Sequence, residues 1–326
     1  GAYTHNTNPS VKKYATEAIY ADALTLEYVI SKTSDEIPQI KIEDVTYIYS
    51  DDIRVSLRAQ SLPCMIDINC TEGANWQVQK RGVVKITMRF DDGTYVCSGS
   101  LVNNTSQDKA PYILTAYHCF FSDTDTADVA TSTYIFNYER DECGIVSINK
   151  GNTLTGASLK AINPINGGSD GTLLRLNSNI PDTYKAYYNG WDVSGTIPSS
   201  GVIIHHPNGD FKKITTYSKS PTIVGNIEFD GTNGATAPNS AWRVIYSSSI
   251  TEGGSSGSPI FNQNGLIIGT LSGGSTTCEK PSYPDYYGRL YYHWDKYDTS
   301  KGDPQFKYHF KEFLDPTGSG SLSLSG

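Results

Sequence analysis

From Cys64 onward the chain alternates short apolar runs with turn residues. The runs GVVKITMRF, TYVCSGSLV, YILTAYHCF, STYIFNYER, DGTLLRL, GVIIHHP, AWRVIYSS, LIIGTLSGG and YGRLYYHW have strand length and are rich in β-branched and aromatic residues. Asp92-Gly93, Asn189-Gly190, Asn208-Gly209 and Asn264-Gly265 punctuate them. This spacing predicts an all-β fold of barrel or sandwich type. One helix is expected late in the chain, in DPQFKYHFKEFLDP, with Phe306, Phe310, Phe313 and Leu314 on one side and Pro316 as its stop. Residues 1–58 differ: they carry no Cys and many charges, and ALTLEYVIS and QIKIEDVTYIYS alternate in the manner of strands. They read as an N-terminal β-rich extension or the remnant of a pro-segment, with KKYATEAIYADAL a weak helix pattern and Arg54 and Arg58 as basic residues suited to processing. The start, GAYTHNTNPS, reads as a trimmed or a processed one. No repeat recurs at a fixed period, and the tail 317–326 is of low complexity and expected to be loose.

The stretch EGGSSGSPIF, from Glu252 to Phe261, breaks the pattern. Its small residues resemble a linker, but it runs into Pro259-Ile260-Phe261 and then Gly265-Leu266-Ile267-Ile268-Gly269, which read as two buried strands around an Asn-Gly turn. A small-residue turn held between core strands marks a place where backbone must approach something closely.

Composition narrows the class. The chain has 326 residues, 18% charged and 11% aromatic, with 23 Tyr and 2 Met. That suits a loop-rich, extracytoplasmic β protein, secreted or periplasmic. A formal net charge of -8 argues against a nucleic-acid partner. No apolar run reaches the roughly 18 residues needed to span a membrane. Six cysteines, Cys64, Cys70, Cys97, Cys119, Cys143 and Cys278, fit three disulfides in an oxidising compartment. No CxxC pair supports the rival zinc reading, and adjacent His205 and His206 point to opposite faces of a strand. No metal and no cofactor are expected. A monomer is assumed, since nothing in the sequence speaks to oligomeric state.

Three polar residues sit at strand edges. His118 lies in YILTAYHCF, Asp170 precedes GTLLRL, and Ser256 lies in the small-residue turn. Singly, each has a structural reading: a histidine satisfied by a carbonyl, a turn aspartate, a serine among small residues. Together they supply what a weak hydroxyl nucleophile needs, a base and a carboxylate that orients the base. Their chain order, His then Asp then Ser, is that of the chymotrypsin template.

The motifs carry a resemblance. Thr115-Ala116-Tyr117-His118-Cys119 resembles the TAAHC box of chymotrypsin-fold serine proteases, and Gly254-Ser255-Ser256-Gly257-Ser258-Pro259 resembles their GDSGGP box. From Cys64 to Pro316 the chain is similar to bacterial lysyl endopeptidases, through CMIDINC, CSGSLVNNT, LTAYHC, GWD, IHHPNG, GSSGSP, DYYGR and LDP. The resemblance implies two six-stranded antiparallel β-barrels, about 59–185 and 186–316, and a secreted endopeptidase acting on proteins or peptides. It implies Ser256 as nucleophile, His118 as base, Asp170 as orienting carboxylate, and the Gly254 and Ser256 amides as oxyanion donors. It implies the pairs Cys64–Cys278, Cys70–Cys143 and Cys97–Cys119, where the count alone allows fifteen connectivities. It places Asp285 at the floor of a pocket for a basic P1 side chain, with Ser272, Gly273 and Gly274 lining it.

Two departures stand out. The family has a His at the position of Ser272, paired with a Trp that has no counterpart in PTIVGNIEFDG, so a more open subsite and only a slight preference for Lys over Arg are expected. Ser255 stands where chymotrypsin-type zymogens carry the Asp of their activating ion pair. Alternative readings are a protease of non-basic or broad specificity and a catalytically silent binding scaffold. A carbohydrate-binding domain, suggested by the tyrosines, explains neither box.

Overall fold

Adjacent apolar residues on these strands serve different cores, which is why the runs read as continuously apolar. The computed structural model describes residues 13–16, 19, 21, 23–30, 39–43, 45, 61–122, 125–144, 151–230, 234–301 and 307–326. In the strand Val83–Phe90, Val84, Ile86 and Met88 face the interior of their own sheet, while Val83 faces a second cluster shared with the other sheet. In Gly201–His205, Val202 and Ile204 join that shared cluster and Ile203 faces the other side. This is the period of two expected of a pleated strand buried on both faces. Each fully buried aliphatic side chain contributes roughly 1.5–3 kcal/mol.

Among the described residues, two curled sheets result. The first has seven antiparallel strands in the spatial order Asn152–Thr155, Thr133–Phe136, Val83–Phe90, Gly93–Val102, Tyr112–Thr115, Gly171–Leu176, Ala157–Asn163. The second has ten, centred on Gly201–His205, Pro259–Asn262, Ile267–Gly274 and Asp285–Arg289, and is antiparallel apart from one parallel pairing of Ile267 with Trp191. The strand numbers thus exceed six per sheet. The shared core cluster, including Val102, Leu114, Leu173, Trp191, Ile204 and Phe261, lies between the two.

Register positions the chemistry. Thr115 pairs with Thr172, so the strand leading to His118 ends beside the start of the strand that follows Asp170. Phe90 pairs with Gly93, so the hairpin there turns on Asp91-Asp92 rather than on Asp92-Gly93. Disulfides join Cys64 to Cys278, Cys70 to Cys143 and Cys97 to Cys119, with Cα–Cα separations of 5.9, 4.6 and 6.2 Å.

Several elements differ from the sequence expectation. Ile66–Asp67 pairs with Lys213–Tyr217 and so belongs to the second sheet, although it precedes the first in the chain. In YGRLYYHW the strand stops at Arg289, and Leu290–Asp295 is a helix. Its Leu290 and His293 are buried three residues apart, and that helical spacing outweighs the β preference of the aromatics. The late helix is confined to Lys311–Leu314, with Phe310 and Leu314 in the core; residues 302–306 lie outside the described residues. The tail is not loose: Ser323–Leu324 pairs with Trp191–Asp192. Before Ser61, none of the described residues lies in a strand, and Leu24, Leu26, Val29, Ile40 and Ile42 are exposed. The rest of the expected N-terminal extension lies outside the described residues.

Candidate active site

Asp170 and His118 meet because two strand ends meet. Asp170 adopts φ 61°, in the left-handed region, immediately before Gly171–Leu176, and its carboxylate is wholly buried. Its Oδ1 accepts the His118 backbone N–H at 2.9 Å, and its Oδ2 lies 2.8 Å from His118 Nδ1. A carboxylate can only accept, so Nδ1 carries the proton and Nε2 is left with a lone pair. His118 stands in a short turn, Tyr117–Cys119, pinned by the disulfide of the next residue to Cys97. Its side chain is 26% exposed, and it lines a cleft of about 550 Å³ together with Ser256, Cys97, Met88 and Tyr95.

The Ser256 turn explains the glycines. Gly257 has φ 76°, and a Cβ there would overlap Thr115 Oγ1 and the Ser98 carbonyl, so only glycine lets the turn press against the strand that leads to His118. Gly254 has φ 84° and packs against the backbone of His206 and Asn208. Ser98 stitches the two sides together: its amide donates to the Ser256 carbonyl at 2.8 Å, and its hydroxyl donates to the Gly254 carbonyl at 2.9 Å.

Planar trans peptides fix where the turn's amides point. The Gly253 carbonyl accepts from Asn208 N at 2.6 Å, which sets the opposed Gly254 N–H. The Ser255 carbonyl accepts from Ser258 N at 3.0 Å, which sets the Ser256 N–H. Among the described residues neither of these two N–H groups donates to a protein acceptor.

Asp285 starts a strand of the second sheet and is 1% exposed. Its carboxylate accepts from Tyr246 OH at 2.9 Å, from Thr276 Oγ1 at 2.8 Å, from Thr276 N at 3.2 Å and from Thr251 Oγ1. Among the described residues no Lys, Arg or His lies within ion-pair distance of it. Thr251 begins the segment leading to Ser256, and Gly274 packs directly on the carboxylate, where any Cβ would overlap it. Burial first, and then the charge of Asp285, pushes the phenols of Tyr246 and Tyr287 well above the ordinary tyrosine value.

The chain matches the family model "Lysyl endopeptidase, C-terminal domain" over residues 59–288, more than half its length. It belongs to that family. It is 27% identical over 287 residues, 83% of this chain, to the lysyl endopeptidase of Pseudomonas aeruginosa, and it spans 59% of the length of that relative. Among solved structures it is similar to the active form of the Rv3671c protease from M. tuberculosis, at 13% identity and a TM-score of 0.47, covering 72% of this chain and 88% of that one. It is also similar to the protease Anisep from Arthrobacter nicotinovorans, at 18% identity and a TM-score of 0.45, covering 65% and 91%.

Within this lysyl endopeptidase-family chain the fold adds residues that sequence reasoning missed. Phe229, from the segment that lacks the family Trp, stands over Gly273, with its ring edge-on to Tyr286 at 6.4 Å. Ser272 itself is an extra, bulged residue between Leu271 and Gly273. His293 packs on Gly171 and Gly288 behind Asp170, with Nδ1 2.7 Å from Ser169 Oγ and Nε2 3.1 Å from Thr270 Oγ1. Burial holds its pKa near 3, so it is neutral. His205 and His206 bond different partners, Ser255 and the Asp210 carbonyl.

The His118 environment sets a pH dependence. Burial alone would make the ring less basic, but the charge and hydrogen bond of Asp170 outweigh it and raise the pKa above the ordinary value. Were His118 to act as a base, it would have to be neutral to take a proton, and kcat/KM would then be expected to rise with pH along a one-proton limb centred above about 6.5. A pH–rate profile with its limb below that value contradicts this. Stability carries the opposite sign: the folded ring holds its proton more tightly, so its contribution is full below the unfolded pKa and is lost as pH rises through the folded one.

Proposed function

We propose that this chain is an extracytoplasmic serine endopeptidase that hydrolyses peptide bonds through an acyl-enzyme and cleaves after basic residues, Lys slightly ahead of Arg. The observation that carries the reading is the buried Asp170–His118 pair, whose ring lines the same cleft as Ser256. Ser256 Oγ attacks the carbonyl carbon of the scissile bond while His118 Nε2 takes its proton. The Gly254 and Ser256 amides receive the oxyanion of the tetrahedral intermediate. The intermediate collapses as His118 returns the proton to the leaving amine, and water repeats the sequence to release the acid. Asp170 holds the Nδ1–H tautomer and stabilises the imidazolium formed at each attack. The three disulfides suit an oxidising compartment, and among the described residues no helix is long and apolar enough to cross a membrane.

Specificity follows from Asp285. A buried carboxylate without a cation partner is costly, and a P1 ammonium would supply the missing charge. Phe229 over Gly273 supports a narrow wall that suits an alkyl stem better than a guanidinium. The test is a panel of matched fluorogenic peptides with Lys, Arg, Phe or Glu at P1. Lys and Arg peptides are expected to turn over well above the others, and Asp285→Asn is expected to lower their kcat/KM by about 10²–10³-fold, the loss typical of removing one member of a buried charge pair. A preference for Phe or Glu, or an intact Lys preference in Asp285→Asn, refutes the assignment of the pocket.

A further inference from the structure

Ser255, the residue before the nucleophile, is fully buried, and its hydroxyl is tied to a histidine that the mechanism does not use. Its Oγ lies 2.7 Å from His205 Nδ1 and accepts the Glu252 amide at 3.2 Å. On the far side of the ring, His205 Nε2 lies 3.0 Å from Thr215 Oγ1, and Thr215 Oγ1 donates to the Ile250 carbonyl at 2.7 Å.

Proton counting gives this chain one direction. The Ile250 carbonyl can only accept, so the Thr215 hydroxyl proton points there, and Thr215 must accept from His205 Nε2–H. The neutral ring then offers a lone pair at Nδ1, which takes the Ser255 hydroxyl proton. Only the neutral, Nε2-protonated ring satisfies every group. Burial, and then the charge of Lys213, lowers the His205 pKa to about 3, so the ring keeps this form. It is also rigidly placed: His205 ends the strand Gly201–His205 and pairs with Lys213.

We propose that His205 is a positioning residue for the hydrolytic reaction: through Ser255 it holds the Ser256 amide set for the oxyanion, beside the Gly254 amide, before substrate arrives. The inference rests on the reading of those two amides as the oxyanion donors. The Ser256 N–H lies in the peptide joining Ser255 to Ser256, which ends on the Cα that carries the anchored side chain, so fixing that side chain limits its rotation. The Gly254 N–H lies in the peptide joining Gly253 to Gly254, whose carbonyl accepts from Asn208 N. The anchor is neutral, so it needs no ammonium partner to stay in place.

The experiment compares His205→Leu, which removes the acceptor, with His205→Asn, which keeps an acceptor close to the Nδ1 position. Three probes are used: a lysine p-nitroanilide peptide, the matching peptide lysinal, whose adduct carries an oxyanion, and n-butylamine, which reports on the P1 pocket alone. His205→Leu is expected to lower kcat and weaken the lysinal by about 10²-fold each, with KM and n-butylamine inhibition within about twofold, and His205→Asn is expected to recover most of the loss. An unchanged kcat in His205→Leu, equal losses for lysinal and n-butylamine, or no recovery in His205→Asn overturns the inference. Should His205→Leu not fold, Ser255→Ala deletes only the hydroxyl and is expected to weaken the lysinal about tenfold; unchanged lysinal affinity overturns the inference. Ser256→Ala, run alongside, separates the two levels. If it stays active, the reading of the turn falls and the inference with it. If it is inactive while His205→Leu matches the parent chain, only the inference falls.

Discussion

Ser256→Ala is expected to lower kcat for peptide hydrolysis by about 10⁵–10⁶-fold while leaving the fold and P1 binding intact. The size of the effect follows from the proposed chemistry: without Oγ no acyl-enzyme forms, and the amides of Gly254 and Ser256 are left to act on an attack by water. The fold should not suffer, because the turn is held by its backbone. The Ser256 carbonyl accepts from Ser98, Gly257 N donates to the Leu271 carbonyl at 2.8 Å, and Ser258 N donates to the Ser255 carbonyl. Steady-state kinetics together with a thermal melt check both halves. A variant that loses activity only because it melts earlier does not count as support.

Asp170→Asn is expected to cost about 10⁴-fold in kcat, nearly as much as losing the nucleophile, although the substitution removes no reacting atom. The buried carboxylate accepts twice from His118, from its backbone N–H and from its ring Nδ1–H. An amide at this position can present its oxygen to only one of these donors. Where its NH₂ faces Nδ1, that nitrogen must become the acceptor, and the proton moves to Nε2, where it blocks proton abstraction from Ser256. The loss of the carboxylate charge also removes what raises the ring's pKa, so the acid limb of the residual activity is expected to move to lower pH. A residual rate within about tenfold of the parent chain, or a limb that stays in place, contradicts the role given to Asp170.

How much of this was legible in the sequence depends on whether the signal was local. The small-residue turn, the strand ending at Thr115 and the apolar run after Asp170 are local patterns, and the structure places His118 and Asp170 in contact from elements of that kind. Disulfide connectivity was legible only through the family resemblance, because six cysteines leave fifteen pairings open. His205 read only as one of two adjacent histidines pointing to opposite faces of a strand, since its partners Ser255 and Thr215 come together only in the fold. Phe229 sits in a segment whose sequence signal was the absence of Trp, and its position over Gly273 is set by the fold. The helix Leu290–Asp295 was hidden by its aromatics, and the pairing of Ser323–Leu324 by a low-complexity composition that gives no sign of the edge it joins.

The measurement that tests the central claim most directly is covalent labelling with diisopropyl fluorophosphate, followed by mass spectrometry of the peptides. An activated serine beside a neutral imidazole displaces fluoride and keeps the phosphoryl group. The account predicts one adduct per chain, on Ser256, formed in parallel with loss of peptidase activity, slowed in His118→Ala and absent in Ser256→Ala. Peptide hydrolysis that survives labelling, or an adduct carried by another residue while Ser256 stays free, would contradict it.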